Sequence, residues 1–136
     1  MRIVLLGAPG SGKGTQAKQL STHYRIPQIS TGDILRAAVD ADNELGKRVS
    51  ASLKAGQLVS DGIVIDAVTD SLRAPDSRRG FILDGFPRNI PQAQELDTRL
   101  SWMDRPVQLA LNFSIEPERL LKRVTGRITC SDCGAI

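Results

Sequence analysis

Residues 7 to 15 read Gly7-Ala8-Pro9-Gly10-Ser11-Gly12-Lys13-Gly14-Thr15. Glycines at this spacing let successive backbone N–H groups turn inward around an anion, and a lysine after them reaches the outer oxygens of a polyphosphate. The pattern is G-x-x-x-x-G-K-[S/T] with one departure: Gly14 stands where a hydroxyl residue is usual, and Thr15 follows one place late. The apolar run Ile3–Leu6 precedes the loop and a helical stretch, Lys13 to Tyr24, follows it. That strand–loop–helix setting is what a phosphate cradle requires, because the helix N-terminus adds partial positive charge. An ordinary glycine turn is the competing reading, and the setting makes it the weaker one.

A carboxylate is the second chemical element. Gly80-Phe81-Ile82-Leu83-Asp84 reads as a strand ending in Asp84. In a parallel sheet, ligands gather beyond the carboxyl ends of the strands. Asp84 can there hold a hydrated Mg²⁺ beside the phosphates, although an isolated Asp at a strand end is more often a turn or cap residue.

Arginine is the third. The sequence has 13 Arg and 5 Lys, and the planar guanidinium grips phosphate oxygens bidentately, which lysine does not. Arg119, Arg123 and Arg127 fall at i, i+4 and i+8, one face of a helix. Arg2, Arg25, Arg73, Arg78, Arg79, Arg99 and Arg105 read as solvated surface residues. The net charge of +3, from 18 basic against 15 acidic residues, is too mild to argue for nucleic acid.

These residues need a frame. The length of 136 residues fits one domain, and 40% hydrophobic with 24% charged residues is ordinary for a globular protein. No apolar run approaches the ~18 residues of a membrane span. Met1-Arg2 leads directly into an apolar run too short for a signal peptide, so the expectation is a cytoplasmic protein without a membrane partner. Beyond the first strand and helix, the pattern predicts a strand at 27–30 and helices from Thr31/Asp33 through Val39, over Leu45–Leu53 with Gly56 as cap, and over Asp61–Leu72. The strand at 80–84 follows, then a helix over 91–102, a strand over 107–113 and a helix from Glu116 to about Thr125. Ala17, Leu20 and Tyr24 should share one helix face, and so should Val64, Val68 and Leu72. Trp102, Tyr24 and the phenylalanines read as packing residues, His23 as a surface or capping residue. Strands alternating with helices predict an α/β fold, a doubly wound parallel sheet with helices on both faces.

With these landmarks the sequence closely resembles the adenylate kinases, within the nucleoside monophosphate kinases. The stretches that carry the resemblance are Gly7–Thr15, Gln28-Ile29-Ser30-Thr31-Gly32-Asp33-Ile34-Leu35-Arg36, Gly56-Gln57-Leu58-Val59, Gly80-Phe81-Ile82-Leu83-Asp84-Gly85-Phe86-Pro87-Arg88 and Gly126-Arg127. They follow the family's order and spacing over the whole chain. Glycine after the lysine, then threonine, is also the family's pattern. The resemblance implies a P-loop core at 1–29 and 60–125, a helical monophosphate-binding subdomain at 30–59 and the start of an ATP-covering lid at 126–136. The implied reaction is MgATP + AMP ⇌ 2 ADP, in a monomer when full length. Gly10, Ser11, Gly12, Lys13, Gly14, Thr15, Arg123 and Arg127 would hold ATP. Thr31, Arg36, Gln57, Leu58, Val59, Gly85, Phe86, Pro87, Arg88 and Gln92 would hold AMP. Lys13, Arg88 and Arg123 would act on the transferring phosphoryl group. The alternatives are a pyrimidine monophosphate kinase, some of which carry a residue like Asn89, and a nucleotide-binding fragment without turnover.

Cys130-Ser131-Asp132-Cys133 is C-x-x-C spacing, half of a tetrahedral zinc site, with a redox pair as its rival. In zinc-bearing members of the family a second pair follows in the lid. The expectation is therefore a structural Zn²⁺ half site at Cys130 and Cys133, in the N-terminal part of a longer enzyme.

Overall fold

The computed structural model describes residues 1–55 and 59–126. Four strands form one sheet: β1 (Arg2–Gly7), β2 (Gln28–Ser30), β3 (Phe81–Asp84) and β4 (Leu109–Phe113). The order is β2-β3-β1-β4, with every described pairing parallel. The helices are α1 (Lys13–Tyr24), α2 (Thr31–Asp40), α3 (Glu44–Lys54), α4 (Asp61–Arg73), α5 (Ile90–Trp102) and α6 (Pro117–Thr125). A short 3₁₀ turn spans Pro75–Arg79. The fold is the expected α/β arrangement, and α2, α3 and α4 all fall between β2 and β3.

The two-residue period of the strands builds two apolar layers. Val4, Ile29, Phe81 and Leu83 point to one face, where Ile65, Val68 and Leu72 of α4 and Leu96 and Leu100 of α5 cover them. Ile3, Leu5 and Ile82 point to the other, covered by Ala17 and Leu20 of α1. Strands buried on both faces are largely apolar, and all four residues of β3 are buried, with Asp84 at its carboxyl end the one polar member. Val68 and Leu72 of α4 are in the core as the helical period predicts, with Val64 partly buried beside them.

Some expectations need correction. Tyr24 does not join Ala17 and Leu20 in the core; it is exposed and meets the His23 ring edge-on, 4.8 Å between centroids. Trp102 is 82% exposed rather than packed. Arg99 and Arg105 are not free surface arginines. Arg99 donates to Glu95 (2.7 Å), Asp66 (3.0 Å) and Thr69 (2.9 Å), joining α4 to α5, and the hydrogen bond to Glu95 raises its pKa. Arg105 donates to the carbonyls of Leu72 and Ser77 and lies over the Phe81 ring. Burial lowers its pKa, with Arg2 and Arg78 adding repulsion.

Two helical glycines face opposite surroundings. A Cβ on Gly46 of α3 would sit 2.0 Å from the Ala38 carbonyl oxygen of α2, whereas nothing lies within 4 Å of one on Gly62 of α4. Gly46→Ala should therefore cost about 1–3 kcal/mol or more by overpacking. Gly62→Ala should be neutral or add up to about 0.5–1 kcal/mol by restricting the unfolded chain. Denaturant titrations of the two variants check this; equal effects would disprove close packing of α2 on α3.

Candidate functional site

The carboxyl ends of β1 and β3 lie side by side because the register pairs Leu5 with Asp84. The chain leaves β1 into the glycine-rich loop and enters α1 through Gly12. Gly10 and Gly12 have φ of 87° and 92°, which side chains on L-residues disfavour. Gly12 caps α1 without a side-chain hydrogen bond, and the first turn of α1 carries no acidic residue. The free N–H groups at this helix start therefore keep their full attraction for an anion.

Lys13 Nζ lies 3.0 Å from Asp84 Oδ1, with both side chains largely buried. Gln28 Nε2 donates to the other carboxylate oxygen at 3.0 Å. The lysine is thus held at the loop mouth by a carboxylate whose own orientation is fixed from β2. Across the opening, α2 begins at Ser30, whose hydroxyl accepts from Asp33 N. Arg36 Nη2 contacts Asp33 Oδ1 at 2.5 Å, and that hydrogen bond holds the Asp33 carboxyl below its usual range against the effect of partial burial. Both side chains are some 70% exposed, so a phosphate can take the guanidinium at little cost.

The turn after β3 supplies the second arginine. Gly85 has φ 81°, and its carbonyl accepts from Thr31 Oγ1 (3.2 Å) and from Arg88 Nε (2.8 Å). One carbonyl so fixes both the start of α2 and the root of the Arg88 guanidinium. From the other side, the α6 side chains Leu120 and Val124 lie against Gly10, and an Arg123 nitrogen lies 3.9 Å from where a Cβ on Gly12 would be.

The result is one open cleft of about 1170 Å³. Gly10, Gly12, Lys13, Gly14, Thr15, Thr31, Arg36, Asp84, Gly85, Arg88 and Arg123 line it, as do Gln28 and Asp33. Other predicted residues sit behind the lining. Phe86 is 1% exposed in the core, and Ser11, Val59, Pro87 and Gln92 do not line the cleft. Gln92 is buried, with its carboxamide bonded to Arg88 N and Asp61. The expectations placed on Gly56, Gln57, Leu58, Arg127, Cys130 and Cys133 lie outside the described residues. Among those described, no group of three or more His, Cys, Asp or Glu gathers as a metal site.

Sequence reasoning did not single out Gln28 or Asp61 as site residues, and took Asp33 only as a helix start. For Asp61 the nearest signal was partial: Asn89-Ile90-Pro91-Gln92 has the spacing of a capping box, which flags a polar cluster at the start of α5 but not the carboxylate that joins it. For Gln28 there was none, because only the parallel pairing of β2 with β3 reveals its neighbour.

This fold and cleft define a phosphate-loop α/β nucleotide-binding protein. A family profile described as "Adenylate kinase" matches residues 5–133. The chain is 57% identical over 136 residues to the adenylate kinase of Nitrosococcus oceani and 56% identical over 134 residues to that of Thermodesulfovibrio yellowstonii. It is 50% identical over 135 residues to that of Caldicellulosiruptor bescii. These alignments cover 98–100% of the chain and 62–63% of the relatives. The chain belongs to the adenylate kinase family, and it spans about 63% of the length of the curated relatives it matches.

Ser11 is an exception to the economy of the loop. Its N–H donates to the Ala8 carbonyl at 3.1 Å, and among the described residues its buried hydroxyl has no hydrogen-bond partner. An unsatisfied buried polar group costs about 1–3 kcal/mol. Ser11→Ala is expected to leave the melting temperature equal or higher, measured by calorimetry; a clear fall would mean that the hydroxyl has a partner.

Proposed function

We propose that this chain carries the nucleotide sites of an enzyme that transfers a phosphoryl group reversibly from MgATP to AMP, giving two ADP and balancing the adenine nucleotides. The observation that carries this reading is a single cleft with a phosphate loop and Lys13 at one side and two arginines, Arg36 and Arg88, at the other. Two anionic nucleotides need two separate sets of cations, and the cleft has both.

In this reading the loop amides from Gly10 to Thr15 and Lys13 bind the ATP phosphates. Arg36 and Arg88 grip the AMP phosphate, which displaces Arg36 from Asp33. Arg123, above the loop, faces the phosphoryl group in transfer. No side-chain nucleophile is needed; holding the acceptor oxygen and the phosphorus in line while neutralising charge accounts for catalysis of this kind. The oxygen donors Asp84 and Thr15, both on the cleft, suit a hydrated Mg²⁺, an ion that keeps much of its water. When bound with ATP, that ion supplies further neutralisation of phosphate charge.

The same reading assigns residues 30–59 as the monophosphate-binding subdomain and 126–136 as the start of a lid whose closure excludes water, with Arg127 over the ATP. Gln57, Leu58 and Val59 would line the AMP base, with Gln92 beside it. Cys130 and Cys133 would supply half of a structural zinc site, which their spacing supports. A monomer acting in the cytoplasm completes the assignment.

A coupled assay of ADP formation from ATP plus AMP, with CMP, UMP and GMP as competitors for the acceptor role, tests the reaction. ATP binding without ADP formation would reduce the chain to a binding module, and preference for CMP would overturn the AMP assignment. Loss of a charge-assisted hydrogen bond is worth about 1.5–3 kcal/mol. Arg36→Ala and Arg88→Ala are therefore expected to weaken AMP binding about 10- to 100-fold with ATP binding little changed. Lys13→Ala should do the reverse, as isothermal titration with each nucleotide would show.

A further inference from the structure

Asp61 is the first residue of α4, immediately beyond the helices that carry Arg36, and no role in the site has been derived for it. Its carboxylate is fully engaged with another element. Oδ1 accepts from Gln92 Nε2 at 2.5 Å and Oδ2 accepts from Asn89 Nδ2 at 3.1 Å. Both donors do a second task. Asn89 Oδ1 caps α5 by accepting from Gln92 N at 2.8 Å, and Gln92 Oε1 accepts from the backbone N–H of Arg88 at 2.7 Å.

The network therefore runs from one helix start to the arginine. Two primary amides look alike by shape, and either could turn end for end. The carboxylate accepts only, so it forces the N–H₂ ends of Gln92 and Asn89 toward itself. That leaves Gln92 Oε1 facing the Arg88 N–H and Asn89 Oδ1 facing the helix. Arg88 is thus held at its backbone by Gln92 and at its guanidinium by the Gly85 carbonyl.

We infer that Asp61 is a positioning residue for the monophosphate site: by orienting the Gln92 and Asn89 amides it sets the backbone from which Arg88 reaches into the cleft. It also ties that arginine to the base of the segment that carries Arg36. The inference rests on Arg88 as part of the AMP site.

The test compares the chain with its Asp61→Ala and Asp61→Asn variants, reading AMP and ATP dissociation constants by calorimetry and amide hydrogen exchange at Arg88. Asp61→Ala is expected to weaken AMP binding about tenfold, to leave ATP binding within about twofold and to speed exchange at Arg88. Asp61→Asn keeps an acceptor for Gln92 but loses the one for Asn89, so it should fall between. An unchanged AMP constant in Asp61→Ala, or equal losses for ATP and AMP, overturns the inference. If the alanine variant does not fold, Asp61→Asn decides on the same readings. If the unaltered chain binds ATP but not AMP, the functional reading itself fails and takes the inference with it; exchange at Arg88 then shows whether the structural link exists without a substrate.

Discussion

Lys13 and Asp84 face each other at 3.0 Å across the ends of two adjacent parallel strands, and the rest of the site is arranged around that contact. Neither group tolerates burial alone: breaking a buried pair by removing one partner typically costs about 3–5 kcal/mol. The pair therefore pins the loop to β3, and Gln28 extends the link to β2. It also holds the lysine ammonium at the cleft. The cost of ordering a long flexible side chain is thereby met during folding rather than on binding.

The two faces of the sheet divide the labour. On one side α1 packs on Ile3, Leu5 and Ile82, so the helix that presents the phosphate loop is seated directly on the strands. On the other side α4 and α5 cover Val4, Phe81 and Leu83 and bring Arg88 to the cleft through the turn after β3. α2 and α3 pack on each other and join the rest through the Thr31–Gly85 hydrogen bond, through α2 on α4 and β2, and through α3 on α4. Cations on one side of a cleft and cations on a separately packed helix pair on the other suit the proposed site, in which one anion would lie beside another.

Most of the fold was legible in the residues. The continuous apolar runs at 3–6 and 81–83 gave buried strands, and Val64, Val68 and Leu72 gave the buried side of α4. Composition misled where a residue's neighbours decide its fate. Trp102 and Tyr24 are large and apolar enough to suggest packing, yet they end helices and stay exposed among the described residues. Arg99 and Arg105 looked like solvated charges, yet acids or carbonyls from elements distant in sequence enclose them. Within the candidate site, the loop and Asp84 were readable from local spacing, and Arg36 and Arg88 from the resemblance carried by the short stretches that hold them. Gln28 and Asp61 were not, because each acts through a hydrogen bond to a residue 28 to 56 positions away.

The exposure of Trp102 has a spectroscopic side. It is the chain's single tryptophan, it is 82% exposed, and it ends α5 roughly 15 Å along the helix axis from Gln92. An indole already surrounded by water has little environment left to lose on denaturation, and at that distance its emission is insulated from occupancy of the cleft. Tryptophan fluorescence of this chain therefore follows the exposed end of one helix, and a useful optical reporter of nucleotide binding would have to be installed nearer the arginines.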